Sequence, residues 1–184
     1  MKSRTIAAMA IIVVLLGVGL MTTAAAASPS ARVTGGIQFS APDWGNLTIW
    51  QQYSVRQVAP DTHAAKGIVN WKIHSPTDGW RLIDARATCL AVTDQPDGSK
   101  TAVVVSQLVR VRGWGQGAPG EYARFWVRDG GTPGAAGDQW TSQSYQLEPE
   151  WIEFWPADGP APDCESIFPD GPPFDVERGN LVIH

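Results

Sequence analysis

The chain has 184 residues, with 14 basic against 18 acidic side chains and a formal charge of −4. That balance, with the bases scattered, argues against a nucleic-acid partner or an anionic membrane surface, since both are bound through clustered Lys and Arg. The length suits a targeting segment followed by one domain of ordinary size, large enough to bury a core without relying on staples.

Residues 1–27 have the order of a secretory signal peptide. Lys2 and Arg4 form a basic region, Ile6 to Met21 an apolar one, and Thr22 to Ala27 a small-residue run ending in Ala-x-Ala. Cleavage is expected after Ala27. An uncleaved anchor is the alternative, and the apolar run is shorter than the roughly 20 residues a spanning helix needs. The remainder, 28–184, is expected to form a single β domain of 157 residues with a formal charge of −6, secreted or extracytoplasmic and free of the membrane.

Nothing in that remainder sustains a 3.6-residue period, whereas period-2 alternation recurs. A first short strand begins near Val33 and carries Ile37 and Phe39. From Asn46 to Gln57, Leu47, Ile49, Gln51, Tyr53 and Val55 alternate with Thr48, Trp50, Gln52, Ser54 and Arg56. Gly67 to His74 sets Val69, Trp71 and Ile73 against Ile68, Asn70, Lys72 and His74.

The stretch from Trp80 to Gly113 predicts a long hairpin turning at Asp97-Gly98. Its first strand puts Ile83, Ala85, Ala87, Cys89 and Ala91 on one side; its second sets Val103, Val105, Gln107, Val109 and Val111 against Ala102, Val104, Ser106, Leu108 and Arg110. Apolar character on both faces predicts a central hairpin partly covered on each side. Further strands are expected at Glu121–Asp129, Gln139–Leu147, Glu150–Trp155 and Glu177–His184, with an irregular Pro/Asp-rich segment at 156–176. Seven to nine short strands joined by Gly, Pro and Asp turns predict an all-β, antiparallel barrel, with a β-sandwich as the alternative. The barrel is favoured because closure removes exposed strand edges.

Two cysteines in an exported chain predict one disulfide, Cys89 to Cys164, with free thiols or an intermolecular bond as the alternatives. Nine tryptophans are the strongest functional hint, because flat aromatic faces stack on sugar rings or enclose apolar ligands. Trp71 falls in an apolar row and is expected in the core. Trp126 lies between Arg124 and Arg128 on the polar side of its strand, and Trp151 and Trp155 flank Glu153. Trp126, Trp140, Trp151, Glu153 and Trp155 are therefore the candidate ligand-binding residues. The competing reading is that these rings cover the second face of the sheet or fill its lumen.

No cofactor and no metal is expected. The acidic run Asp158, Asp163, Glu165, Asp170, Asp175 and Glu177 would suit calcium, but it lacks a D-x-D-x-D-G loop and is better read as solvated turns. His63, His74 and His184 have no metal-ligand spacing. Nucleophile elbows, zinc-protease helices and phosphate loops are missing from the sequence. Asp84 and Glu153 are weak candidates for a glycosidase pair, and Asp84 is better placed to pair with Arg86 or a cross-strand base. Asn46-Leu47-Thr48 is a glycosylation sequon that matters only in a eukaryotic secretory path.

Val33-Thr34-Gly35-Gly36, Ala87-Thr88-Cys89-Leu90, Phe125-Trp126-Val127-Arg128-Asp129-Gly130, Asp163-Cys164 and Gly179-Asn180-Leu181-Val182 together resemble a group of uncharacterised exported bacterial single-domain β-proteins. The resemblance implies one small β domain with one cysteine in a central strand and another in a late loop. It implies no activity and no site residue. The expected function is an exported, non-catalytic binding module for a small-molecule or carbohydrate ligand. The alternatives are a cell-surface or matrix interaction domain and a carboxylate-dependent hydrolase.

Overall fold

The computed structural model describes residues 30–60, 62–115, 117–131, 134, 136–142, 157–159, 161–164 and 173–184. The expected signal segment, the strand expected at 150–155 and the second half of the strand expected from Gln139 lie outside them. The described elements are nine strands, β1 (Arg32–Ala41), β2 (Leu47–Gln57), β3 (Ala65–Ser75), β4 (Gly79–Asp94), β5 (Lys100–Arg112), β6 (Tyr122–Asp129), β7 (Gln139–Ser142), β8 (Phe174–Asp175) and β9 (Arg178–Ile183), plus a 3-10 turn at Pro42–Trp44. The all-β expectation holds. The two-residue β8 was too short to leave a period in the sequence.

All nine strands belong to one antiparallel sheet, curled into a half-barrel, in the order β8-β7-β6-β5-β4-β3-β2-β1-β9. The predicted alternation becomes the inner and outer faces. Ile49, Tyr53 and Val55 of β2, Val69, Trp71 and Ile73 of β3, and Ala123, Phe125 and Val127 of β6 all enter the core. Burying each such Val, Ile or Phe side chain stabilises by about 1.5–3 kcal/mol relative to leaving it in water.

The hairpin departs from simple alternation at two bulges. The pairing of β4 with β5 shifts register between Asp84 and Ala85, and again between Ala87 and Cys89. A bulge adds one residue to one strand and so exchanges the faces beyond it. Ile83, Ala85 and Ala87 are buried on the core side, and Leu90 takes over as the buried residue after the second bulge. Cys89 and Ala91 therefore face outward, which corrects the single row expected from strict alternation.

Cys89 meets Cys164 in a disulfide whose Cα atoms are 6.0 Å apart. The Asp163–Cys164 segment lies over the outer face of the hairpin, where the Asp163 carbonyl accepts from Arg124 Nη1 at 2.9 Å. Val105, Arg124 and Trp126 are buried on this outer face. The hairpin is thus partly covered on its outer face as well, as its composition predicted, while Trp80 and Val109 on that face stay exposed. A disulfide is consistent with an oxidising, extracytoplasmic environment.

The segment from Phe174 to Ile183 joins the two edges of the sheet. β8 pairs with β7, β9 pairs with β1, and only Val176 and Glu177 separate them. The Asp138 carbonyl accepts from Val176 N at 3.0 Å, and the Gln38 carbonyl accepts from Glu177 N at 2.8 Å. On the side of β9 away from β1, Asp138 Oδ2 accepts from Leu181 N at 3.1 Å and Asp129 Oδ2 from Ile183 N at 2.9 Å. Two carboxylates thereby occupy positions that a neighbouring strand's carbonyls would fill, so this part of the edge is not left open.

Candidate functional site

Trp140 is in the core, with its ring centroid 4.5 Å from that of Phe39 and its Nε1 donating to the Tyr53 hydroxyl at 3.1 Å. Tyr53 in turn donates to Gln51 Oε1 at 2.6 Å, and burial raises the Tyr53 hydroxyl well above its ordinary pKa. Trp126 is on the outer face, as predicted, but it is only 8% exposed. Trp151, Glu153 and Trp155 lie outside the described residues.

A different pair of tryptophans, one exposed and one half-buried, lies on the outer face. Trp50 on β2 and Trp80 on β4 project from the outer face with ring centroids 5.4 Å apart, and Trp80 is 47% exposed. Trp50 is oriented by Gln38, whose Oε1 accepts from the indole Nε1 at 3.0 Å. The ammonium of Lys72, on the intervening β3, lies 4.2 Å from the Trp80 centroid and 6.0 Å from that of Trp50. The His74 ring sits 4.6 Å from Trp80. This indole cluster borders a groove of about 600 Å³ on the same face, which Trp50 and Lys72 also line.

Sheet register explains why these groups converge. Gln38 pairs with Trp50, Trp50 with Lys72, and Lys72 with Leu82, so all four share one transverse row on the outer face. The adjacent row, one pleat along, runs Gly36, Gln52, Asn70, Asp84. Gly36 offers no side chain, leaving bare backbone in the groove, while Gln52 and Asn70 supply amide donors and acceptors. Arg178 and Gly179 line the groove from β9, and Arg112 from β5.

Asp84 is the one acidic side chain among the described residues that line the groove, and it forms an ion pair with Arg110 across the hairpin. The cross-strand pairing expected of Asp84 is therefore observed, with Arg110 as the base. Among the described residues, no group of three or more His, Cys, Asp or Glu side chains is placed to hold a metal ion.

Sequence reasoning passed over Trp50, Trp80 and Lys72. Each was on the polar side of its strand, so exposure was legible, but their convergence depends on the register of three strands. Chemically, the arrangement presents flat apolar faces beside side-chain amides and cations, which suits a polar ligand that also has an apolar face. Comparison with protein-family models, curated proteins and solved structures finds no match to this chain.

Proposed function

We propose that this protein is a secreted, non-catalytic binding module whose outer groove takes a carbohydrate. The observation that carries this reading is the Trp50–Trp80 pair, 5.4 Å between centroids, beside a groove lined by the Gln52 and Asn70 amides. Sugar rings have an apolar C–H face and a rim of hydroxyls. Indoles match the first and amides the second. That the described residues lining the groove include a single carboxylate, Asp84, supports binding over hydrolysis, because most glycosidases use two. An interaction-domain role has less support, since the exposed large hydrophobics among the described residues are Val58, Ile68, Trp80 and Val109, and one of these is already part of the indole pair. The basic, apolar and Ala-x-Ala order of residues 1–27, together with the disulfide, supports export. So does the resemblance to exported bacterial β-proteins.

Titration with a glycan panel, followed by intrinsic tryptophan fluorescence and by calorimetry, tests the assignment. The wild-type chain is expected to respond to at least one glycan class. Trp50→Ala and Trp80→Ala should abolish the response while leaving the far-ultraviolet circular dichroism unchanged. The absence of both heat and a fluorescence change across the whole panel would overturn the assignment.

A further inference from the structure

We infer that the groove recognises an anionic oligosaccharide, one bearing carboxylate or sulfate groups at intervals along its chain; this rests on the carbohydrate reading above and narrows it by charge. Among the described residues, three cationic side chains, Lys72, Arg112 and Arg178, line the groove, whereas the one acid, Asp84, is neutralised by Arg110. The ion pairs among the described residues join Asp94, Asp84 and Asp97 to Lys100, Arg110 and Arg128, so among those residues none of the three groove cations is paired with a carboxylate. A local excess of positive charge stands out on a chain whose formal charge is −4.

The register orders these cations. Arg178 pairs with Gln38, and Leu82 pairs with Arg112, which extends the transverse row to Arg178, Gln38, Trp50, Lys72, Leu82, Arg112. With strands about 4.8 Å apart, the backbone positions of Lys72 and Arg178 are separated by roughly 14 Å, and those of Lys72 and Arg112 by roughly 10 Å. A single small anion spans neither interval. A chain of sugar rings laid across the strands spans both, with a ring against Trp50 and acidic groups reaching the cations on either side. Two of those cations are arginines, whose planar forks suit bidentate contact with carboxylate or sulfate oxygens.

Isothermal titration of the secreted chain separates this inference from the reading beneath it. The probes are an oligogalacturonate, its neutral methyl ester, a sulfated oligosaccharide and polyglutamate. At least one anionic sugar is expected to bind, with affinity falling as salt is added. Arg112→Gln and Arg178→Gln are each expected to weaken that binding about tenfold, and Trp50→Ala to abolish it, while the ester binds poorly to all forms. If the ester binds as tightly as the acid and the arginine variants are silent, the anionic inference falls and sugar binding stands. If polyglutamate matches the anionic sugars and Trp50→Ala changes nothing, charge alone is being read, and both fall. Failure of every sugar to bind also overturns both.

Discussion

Asp138 Oδ2 accepts the backbone N–H of Leu181 at 3.1 Å, while Oδ1 of the same carboxylate accepts that of Gly130 at 3.0 Å. One side chain therefore ties β9 to the loop between β6 and β7, where the sheet edges meet. Asp138 is 1% exposed, so deleting it leaves amide groups without water to replace the lost acceptor. Asp138→Ala is expected to destabilise by about 2–4 kcal/mol, since each hydrogen bond to a charged group contributes about 1.5–3. Relief of carboxylate desolvation offsets part of that. Denaturant midpoints for wild type and variant measure the difference, and a shift below about 0.5 kcal/mol would show that β9 does not depend on this contact.

The acidic side chains titrate in opposite directions. Hydrogen bonds from the Ser99 hydroxyl and amide hold Asp97 below the ordinary aspartate value of 3.8, and the Ser75 and Thr77 hydroxyls do the same for Asp78. Burial pushes Asp138 above it. For Asp97 and Asp78 the unfolded chain binds more protons between the folded and unfolded pKa values. Their stabilisation is present above 3.8 and is lost as pH falls through the folded values. For Asp138 the folded chain binds more protons, so stability falls as pH rises from 3.8 to its raised value. Carboxyl-carbon NMR titration should place Asp138 above both of the others, and the reverse order would refute the assignment of causes.

The Cys89–Cys164 bridge spans 75 positions. Chain-entropy arguments give about 4.5 kcal/mol for a loop of that length as an upper figure. Cys89→Ser with Cys164→Ser is expected to lower stability by about 2–4 kcal/mol and to loosen the Asp163–Cys164 segment that Arg124 holds two residues from Trp126 on the same outer face, raising the exposure of Trp126 from 8%. A red shift of tryptophan emission in the still-folded double variant reads the exposure. Thiol titration of the unfolded, unreduced wild-type protein should find no free sulfhydryl.

Gly35 and Gly179 secure the pairing of β1 with β9. Their φ values are 118° and 120°, and a Cβ on either would run into the backbone carbonyl oxygen of Asn180 or Gly36 on the facing strand. Gly179→Ala combines that collision with a strained dihedral, and is expected to destabilise by at least about 1–3 kcal/mol. Gly98→Ala is the control: its φ of 84° is also left-handed, but no atom lies within 4 Å of the added methyl. Equal losses at the two sites would show that dihedral strain alone, and not the close approach of β1 and β9, sets the cost.

Strand existence was determined by the sequence itself, because side-chain alternation is a local property of the backbone. The periods around Ile49–Val55, Val69–Ile73 and Ala123–Val127 needed no partner to be visible, and two cysteines allow only one intramolecular pairing. Tertiary structure decided the rest. The bulges that turn Cys89 outward depend on which residues face each other across β4 and β5, and strict alternation carries no record of an inserted residue. Trp140 became core and Trp50 and Trp80 became neighbours for the same reason. Whether a tryptophan is covered, or stands beside another, depends on the register of strands far apart in the chain, which no local pattern encodes.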